Sequence, residues 1–170
     1  MKNCLQNIVS DRRCALIFVA GFSAAALAIA YVSQYAYGLH PCELCLYQRA
    51  PYALVVLFGI LGIAMSGKSP SAPRLFLGLS ALAFAVNAVF ASYHTGVERK
   101  WWPSFLEGCT IPSFEGSISD VLAQIEAAPL ARCDEIPWTD PVIGLSMANY
   151  NVLFCALLAA FALWAAMRRA

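Results

Sequence analysis

His40-Pro41-Cys42-Glu43-Leu44-Cys45-Leu46-Tyr47-Gln48-Arg49-Ala50-Pro51-Tyr52 sets a Cys-x-x-Cys pair at the edge of a long apolar segment. Two thiols so spaced form and break a disulfide beside lipid. Pro41 or Cys42 marks a helix start, because proline's fixed φ suits the first helical position. The free amide groups and dipole of that helix end favour thiolate over thiol, so the pair reads as reactive rather than inert. Arg49 lies four residues past Cys45 on the same helical face. A lone guanidinium near hydrocarbon is costly and asks for a partner.

Working outward from this stretch, the chain is 61% hydrophobic and only 12% charged, against about 25% charged in an ordinary soluble domain. It belongs in a membrane. A net charge of +1, with no basic run and no phosphate-cradling glycine loop, gives no reason to propose nucleic acid. Four stretches suit a hydrocarbon core, which takes roughly 20 helical residues: about 15–33, 50–66, 75–93 and 147–167. The expected fold is an all-α membrane protein, a four-transmembrane-helix bundle in a single domain, since in lipid only helices or closed barrels satisfy the backbone. Spans two and three are joined by a short proline-bearing turn and must be antiparallel neighbours.

Lys2, Arg12, Arg13, Lys68, Arg74, Arg168 and Arg169 fall on one side of this layout, against Arg49, Arg99, Lys100 and Arg132 on the other. The positive-inside rule makes both termini cytoplasmic. The loops at about 34–49 and 94–146 then face outward together, with Cys42 and Cys45 in one and Cys109 and Cys133 in the other. A competing reading treats the first span as a cleaved signal peptide, with Ala28-Ile29-Ala30 as the cleavage site. That apolar stretch is longer than a usual signal core, and its removal would put the charge pattern out of register.

Within the long loop, Ile118, Val121, Leu122 and Ile125 recur at helical spacing; Ser117 and Asp120 fit a capping box and Pro129 ends the run. A short amphipathic helix is expected there, flanked by Trp101, Trp102 and Trp138, lying on the membrane surface or packed on protein. Trp101, Trp102, Tyr93 and Tyr150 read as an interfacial aromatic belt. Asn87, inside span three, reads as an interhelical hydrogen bonder. Cys4, Cys14 and Cys155 lie on the reducing side or within a span and read as structural or incidental.

Cys-x-x-Cys also serves structural zinc, but Cys109 and Cys133 lack the second close pair of a zinc ribbon, and no metal is expected. Seven cysteines, four of them on one face, fit an oxidising compartment. A non-catalytic scaffold stapled by disulfides is the rival from another class. Against it, a two-residue gap closes so small a loop that it stabilises little.

Pro41-Cys42-x-x-Cys45-x-x-x-Arg49 before a span, the Cys109 and Cys133 loop, and Gly144-Leu145-Ser146-Met147 entering the last span together resemble the DsbB family of bacterial inner-membrane disulfide-forming proteins. The likeness covers nearly the whole chain. It implies a multi-pass inner-membrane oxidoreductase that re-oxidises a periplasmic DsbA-like thiol oxidase and passes two electrons to a membrane quinone, ubiquinone or menaquinone. In that scheme the partner's thiolate attacks Cys109, Cys133 is released and exchanges with Cys42, and Cys45 faces the quinone. Arg49 would bind the quinone oxygen as an oxyanion donor does, and His94 would hydrogen-bond the quinone or shuttle its proton. Glu98 stands where relatives carry an amide, which weakens any direct quinone role for it. The resemblance extends equally to the specialised DsbI branch, which serves a dedicated partner.

Overall fold

In the computed structural model, residues 4–106, 109, 117–127 and 131–168 are described. Lys2 and Arg169 of the basic tally, and the helix-ending Pro129, lie outside the described residues. A 3-10 turn at Cys4–Asn7 precedes α1 (Arg12–Ala36), α2 (Glu43–Met65), α3 (Ala72–Glu98), α4 (Ile118–Ala127) and α5 (Met147–Met167). There is no named strand among the described residues, and α1, α2, α3 and α5 are each long and apolar enough to cross a membrane. The architecture is therefore an all-α four-helix membrane bundle.

Local chemistry sets the helix ends. Asp11 caps α1 by accepting from the Arg13 amide at 2.8 Å. Ser146 caps α5 and forms a reciprocal box with Asn149, satisfying amides that lack an intrahelical acceptor. Pro73 sits in the first turn of α3, where a missing N–H costs nothing. Ser117 and Asp120 form the expected box at the start of α4: the Ser117 amide and hydroxyl donate to the Asp120 carboxylate at 3.0 and 2.6 Å. Ile118 and Leu122 on that helix are exposed.

α3 packs most extensively on α5 and then on α2, and α1 leans on α2. Leu16, Val19, Val55, Phe76, Leu77, Phe84, Leu158 and Ala162 form the central core. Gly59 and Gly62 let α1 and α2 close up: a Cβ on Gly59 would meet Ala20 Cβ at 2.4 Å, and one on Gly62 would meet Leu16 Cδ2 at the same distance. Small residues at the contact are how membrane helices gain packing when lipid itself is apolar. The opposite helix faces carry exposed apolar residues such as Ile60 (63% exposed) and Val89 (69%), a surface that suits lipid and not water.

The helices run past the apolar windows. α2 begins at Glu43 and α3 continues to Glu98, so Cys45, Gln48, Arg49, His94 and Glu98 stand on helices rather than in loops. Hydropathy registers exposure to lipid, whereas Gln48, His94 and Glu98 are buried inside the protein. Cys4 and Cys14, read from sequence as structural or incidental cysteines of the reducing side, are joined by a disulfide with a Cα–Cα distance of 5.3 Å.

The long loop is fastened to α3 where it begins. The Tyr93 hydroxyl accepts from the Phe105 amide at 3.0 Å and donates to the Pro103 carbonyl at 3.2 Å. The Trp102 indole donates to the Tyr93 carbonyl and stacks on its ring. Gly96 leaves room for that indole, since a Cβ there would meet Trp102 at 2.0 Å. Two of the belt aromatics thus shape the loop as well. At its far end the loop returns through Asp140, whose carboxylate accepts from the Tyr150 hydroxyl and from the amides of Val142 and Ile143.

Candidate redox site

Cys42 is the N-cap of α2, with its sulfur accepting from the Cys45 amide at 3.4 Å and lying 3.0 Å from the Cys45 sulfur. Both are free thiols, while Cys109 and Cys133 are joined as a disulfide. Cys42, Leu44, Val97, Cys109 and Cys133 form one buried apolar cluster, with Cys45, Tyr93, Leu106 and Ala131 packed at its edge. The pair at the start of α2 and the pair in the long loop are thus gathered at one end of the bundle. The Cys45 thiol hydrogen bond pulls the Cys42 thiol down to about 5, against the effect of burial and with help from His94 and the Cys45 amide. One proton shared between two sulfurs favours a single negative charge on the pair.

His94, from α3, reaches the Cys42 sulfur with Nε2 at 3.5 Å, and the Gln48 amide nitrogen lies 3.0 Å from its Nδ1. An amide nitrogen only donates, so Nδ1 accepts and the hydrogen of the neutral ring sits on Nε2, facing the sulfur. The Gln48 amide is itself oriented, because its Oε1 accepts from Asn151 Nδ2 at 2.5 Å. Asn151 Oδ1 in turn accepts from the Tyr52 hydroxyl at 2.6 Å and from the Cys155 thiol at 3.2 Å. Two donors at one oxygen fix that amide's direction, and the direction propagates to His94. Asn87 closes the group by donating to the Gln48 carbonyl and the Cys155 sulfur.

Glu98 approaches the same ring nitrogen, with Oε1 3.9 Å from Nε2, and accepts from the Ser146 hydroxyl at 2.5 Å. Cys42, Cys45 and His94 present ligand atoms within 4.8 Å of one another, close enough to share a soft metal ion. The direction of the Gln48 bond opposes that use: a ligating histidine donates its second ring N–H outward, whereas here that second nitrogen receives a hydrogen.

Arg49 points elsewhere. It donates to Gln34 Oε1 at 2.7 Å, and its Cζ stands 4.8 Å from the Tyr31 ring centroid, so the partner it needs comes from α1. The structure thus groups Cys42, Cys45 and His94 and brings the Cys109–Cys133 disulfide into the same cluster, while Arg49 faces α1. Sequence reasoning missed Gln48, Asn151 and Tyr52. Their signal was present: polar side chains in spans face the bundle interior, and Gln48 with Tyr52, like Asn151 with Cys155, is spaced i, i+4.

No solved structure matches the chain. Disulfide bond formation protein B of Stutzerimonas stutzeri is 29% identical over 90% of this chain and 94% of its own length. The protein of the same name from Xanthomonas euvesicatoria is 32% identical over 89% of each chain, and that of Azoarcus sp. is 28% identical over 91% and 92%. Residues 12–165 match the family described as disulfide bond formation protein DsbB. With relatives aligned along nine-tenths of its length and cysteine pairs assembled at one end of a four-helix membrane bundle, the chain belongs to the DsbB family and serves disulfide bond formation in a membrane.

Proposed function

We propose that the protein is a quinone-dependent thiol oxidase that re-oxidises a soluble DsbA-like dithiol on the periplasmic face of the bacterial inner membrane. The observation that carries this reading is the burial of Cys42 in one cluster with the Cys109–Cys133 disulfide. In the first exchange a partner thiolate attacks Cys109, the Cys109–Cys133 bond breaks, and Cys133 leaves as a thiolate. The partner's second thiol resolves the mixed disulfide, so the partner leaves oxidised and the loop holds two thiols. Cys133 then attacks the Cys42–Cys45 disulfide at Cys42 and releases Cys45. Cys109 closes on Cys133, so two electrons have moved from the loop pair to the helix-end pair.

A quinone held beside Cys45 would supply the two-electron acceptor. The residues there suit such a group: Arg49 is a half-buried cation one turn from Cys45, and exposed Tyr31, Tyr35, Leu46 and Tyr47 offer an apolar and aromatic surface for a flat lipophilic ring. Arg49, held by Gln34 and the Tyr31 ring, would supply a cation that favours negative charge developing on such a group. His94 acts on the sulfur side, holding its Nε2–H toward Cys42. The test is to purify the protein in mild detergent, identify the co-extracted quinone, and mix it with a reduced thioredoxin-like partner. One quinol formed per partner disulfide is expected. Partner oxidation without quinol formation overturns the acceptor, and no oxidation at all leaves the stapled scaffold standing.

A further inference from the structure

At the end of the bundle opposite the cluster of Cys42, Cys45, Cys109 and Cys133, a cleft of about 330 Å³ lies between the start of α1, the turn before α3 and the end of α5, lined by residues 10–13, Pro70, Pro73 and Arg168. Three of its side chains are guanidiniums, and two of them keep buried donors unused. Arg12 donates to the Arg168 carbonyl, and Arg13 donates to the Ser66 carbonyl at 3.0 Å. Arg168 Cζ stands 5.5 Å from the Trp164 ring centroid. Yet Arg12 Nε and both terminal nitrogens of Arg168 are buried with no hydrogen-bond partner among the described residues. Asp11, the carboxylate of the lining, is turned to the helix, where Oδ1 accepts from the Arg13 amide at 2.8 Å. No ion pair offsets these arginines among the described residues.

Buried donors of one sign, without acceptors and around an open space, call for an anion. Its source follows from position. The cleft sits where three apolar helices begin or end, at the depth of lipid headgroups, and Trp164 lies beside it as interfacial aromatics do. We propose that this cleft binds the phosphate of an anionic phospholipid headgroup, with the N–H groups of Arg12 and Arg168 donating to phosphate oxygens. A zwitterionic lipid carries the same phosphate, but its ammonium would add a cation to a cleft that already holds three.

The test uses the full-length protein in mild detergent, with dioleoyl phosphatidylglycerol, dioleoyl phosphatidylcholine and inorganic phosphate as probes. Native mass spectrometry should show phosphatidylglycerol retained in preference to phosphatidylcholine, and only the former should raise Tm. Arg12→Gln and Arg168→Gln should each lower retention by about fivefold, the share of one arginine near an anionic surface. Arg74→Gln removes an exposed cation at the same end but outside the lining and should leave retention unchanged. Displacement of phosphatidylglycerol from the unmutated protein by excess inorganic phosphate would support phosphate as the recognised group, and needs no variant to fold. Equal retention of both lipids, or full retention in the Arg12→Gln, Arg168→Gln double variant, overturns the site. Stabilisation by inorganic phosphate with no lipid retained overturns the lipid as its source.

Discussion

The Gln48 side-chain amide donates to His94 Nδ1 at 3.0 Å, and through that bond α2 decides which nitrogen of an α3 histidine faces the Cys42 sulfur. The expected consequence is a His94 ring carrying its hydrogen on Nε2 in the reduced protein, which nitrogen-15 spectroscopy of labelled imidazole reads directly. Gln48→Met keeps the bulk and removes the donor, so the tautomers should mix and Cys42 lose a steady donor. Turnover should fall roughly tenfold, the scale of one buried hydrogen bond. Gln48→Glu replaces the donor by an acceptor and should move a hydrogen onto Nδ1. An Nδ1–H tautomer in the unmutated protein would remove this role for Gln48.

The acidity of Cys42 gives a pH prediction. Its thiol is pulled to about 5 from an ordinary 9.0, first by the Cys45 thiol and then, against burial, by His94 and the Cys45 amide. Thiolate absorbance of the reduced protein should rise with a midpoint near that lower value, and Cys45→Ala should raise the midpoint more than His94→Phe does. Because the folded value is depressed, the folded state binds fewer protons than the unfolded state between the two values. This contribution to stability of the reduced form therefore grows as pH rises from about 5 to 9, is complete above that, and is lost as pH falls through the lower value. Thermal melts of the reduced protein across that window check the sign, and a Tm that falls with rising pH would contradict it.

Which parts of this arrangement were legible in the sequence follows from the physics each signal carries. The four membrane helices show because lipid demands long apolar runs. Their outward ends do not, because Gln48, His94 and Glu98 are polar where protein, not lipid, covers them. The cysteine pairs show through spacing and shared side. The link between Gln48 and His94 spans 46 positions and leaves no local pattern. Asn87 reads correctly as an interhelical bonder, since an amide inside a span must find partners. Cys155 reads as structural or incidental, and it holds one of the two hydrogens that orient Asn151.

The loop disulfide gives a trapping prediction. With a partner whose second cysteine is replaced by serine, attack on Cys109 breaks the Cys109–Cys133 bond and leaves a mixed disulfide that the partner cannot resolve, so a thiol-sensitive species heavier than the protein alone should accumulate, and Cys109→Ser should abolish it. Non-reducing electrophoresis after mixing with the partner reads it. Cys4→Ser and Cys14→Ser break the disulfide near the start of α1, remote from the redox cluster, and should keep turnover. Cys155→Ser keeps a donor for Asn151 and should keep it as well. Loss of turnover in Cys155→Ser but not in Cys109→Ser would show that the relay has been assigned to the wrong sulfurs.

Arg49 separates thiol exchange from quinone reduction. Its guanidinium is tied to Gln34 and Tyr31 of α1, one turn past Cys45 and away from the Cys42–His94 contact. A cation so placed favours negative charge developing on a neighbouring acceptor oxygen where hydrocarbon otherwise opposes it. Arg49→Met keeps the stem's bulk and loses the charge, so exchange at Cys109 should proceed at a near-normal rate while steady-state quinone reduction falls. The loss of one preorganised donor, about 2 to 4 kcal/mol, corresponds to roughly a hundredfold or more in rate. Arg49→Lys should be intermediate, keeping the charge but not the planar fork that reaches Gln34 and an acceptor together. Gln34→Ala leaves the charge in place and frees the guanidinium to move, so it should cost less than Arg49→Met. Single-turnover oxidation of the partner, set beside steady-state turnover with added quinone, distinguishes the steps. Equal losses in both assays would mean that Arg49 holds α1 against α2 and has no separate part in electron transfer.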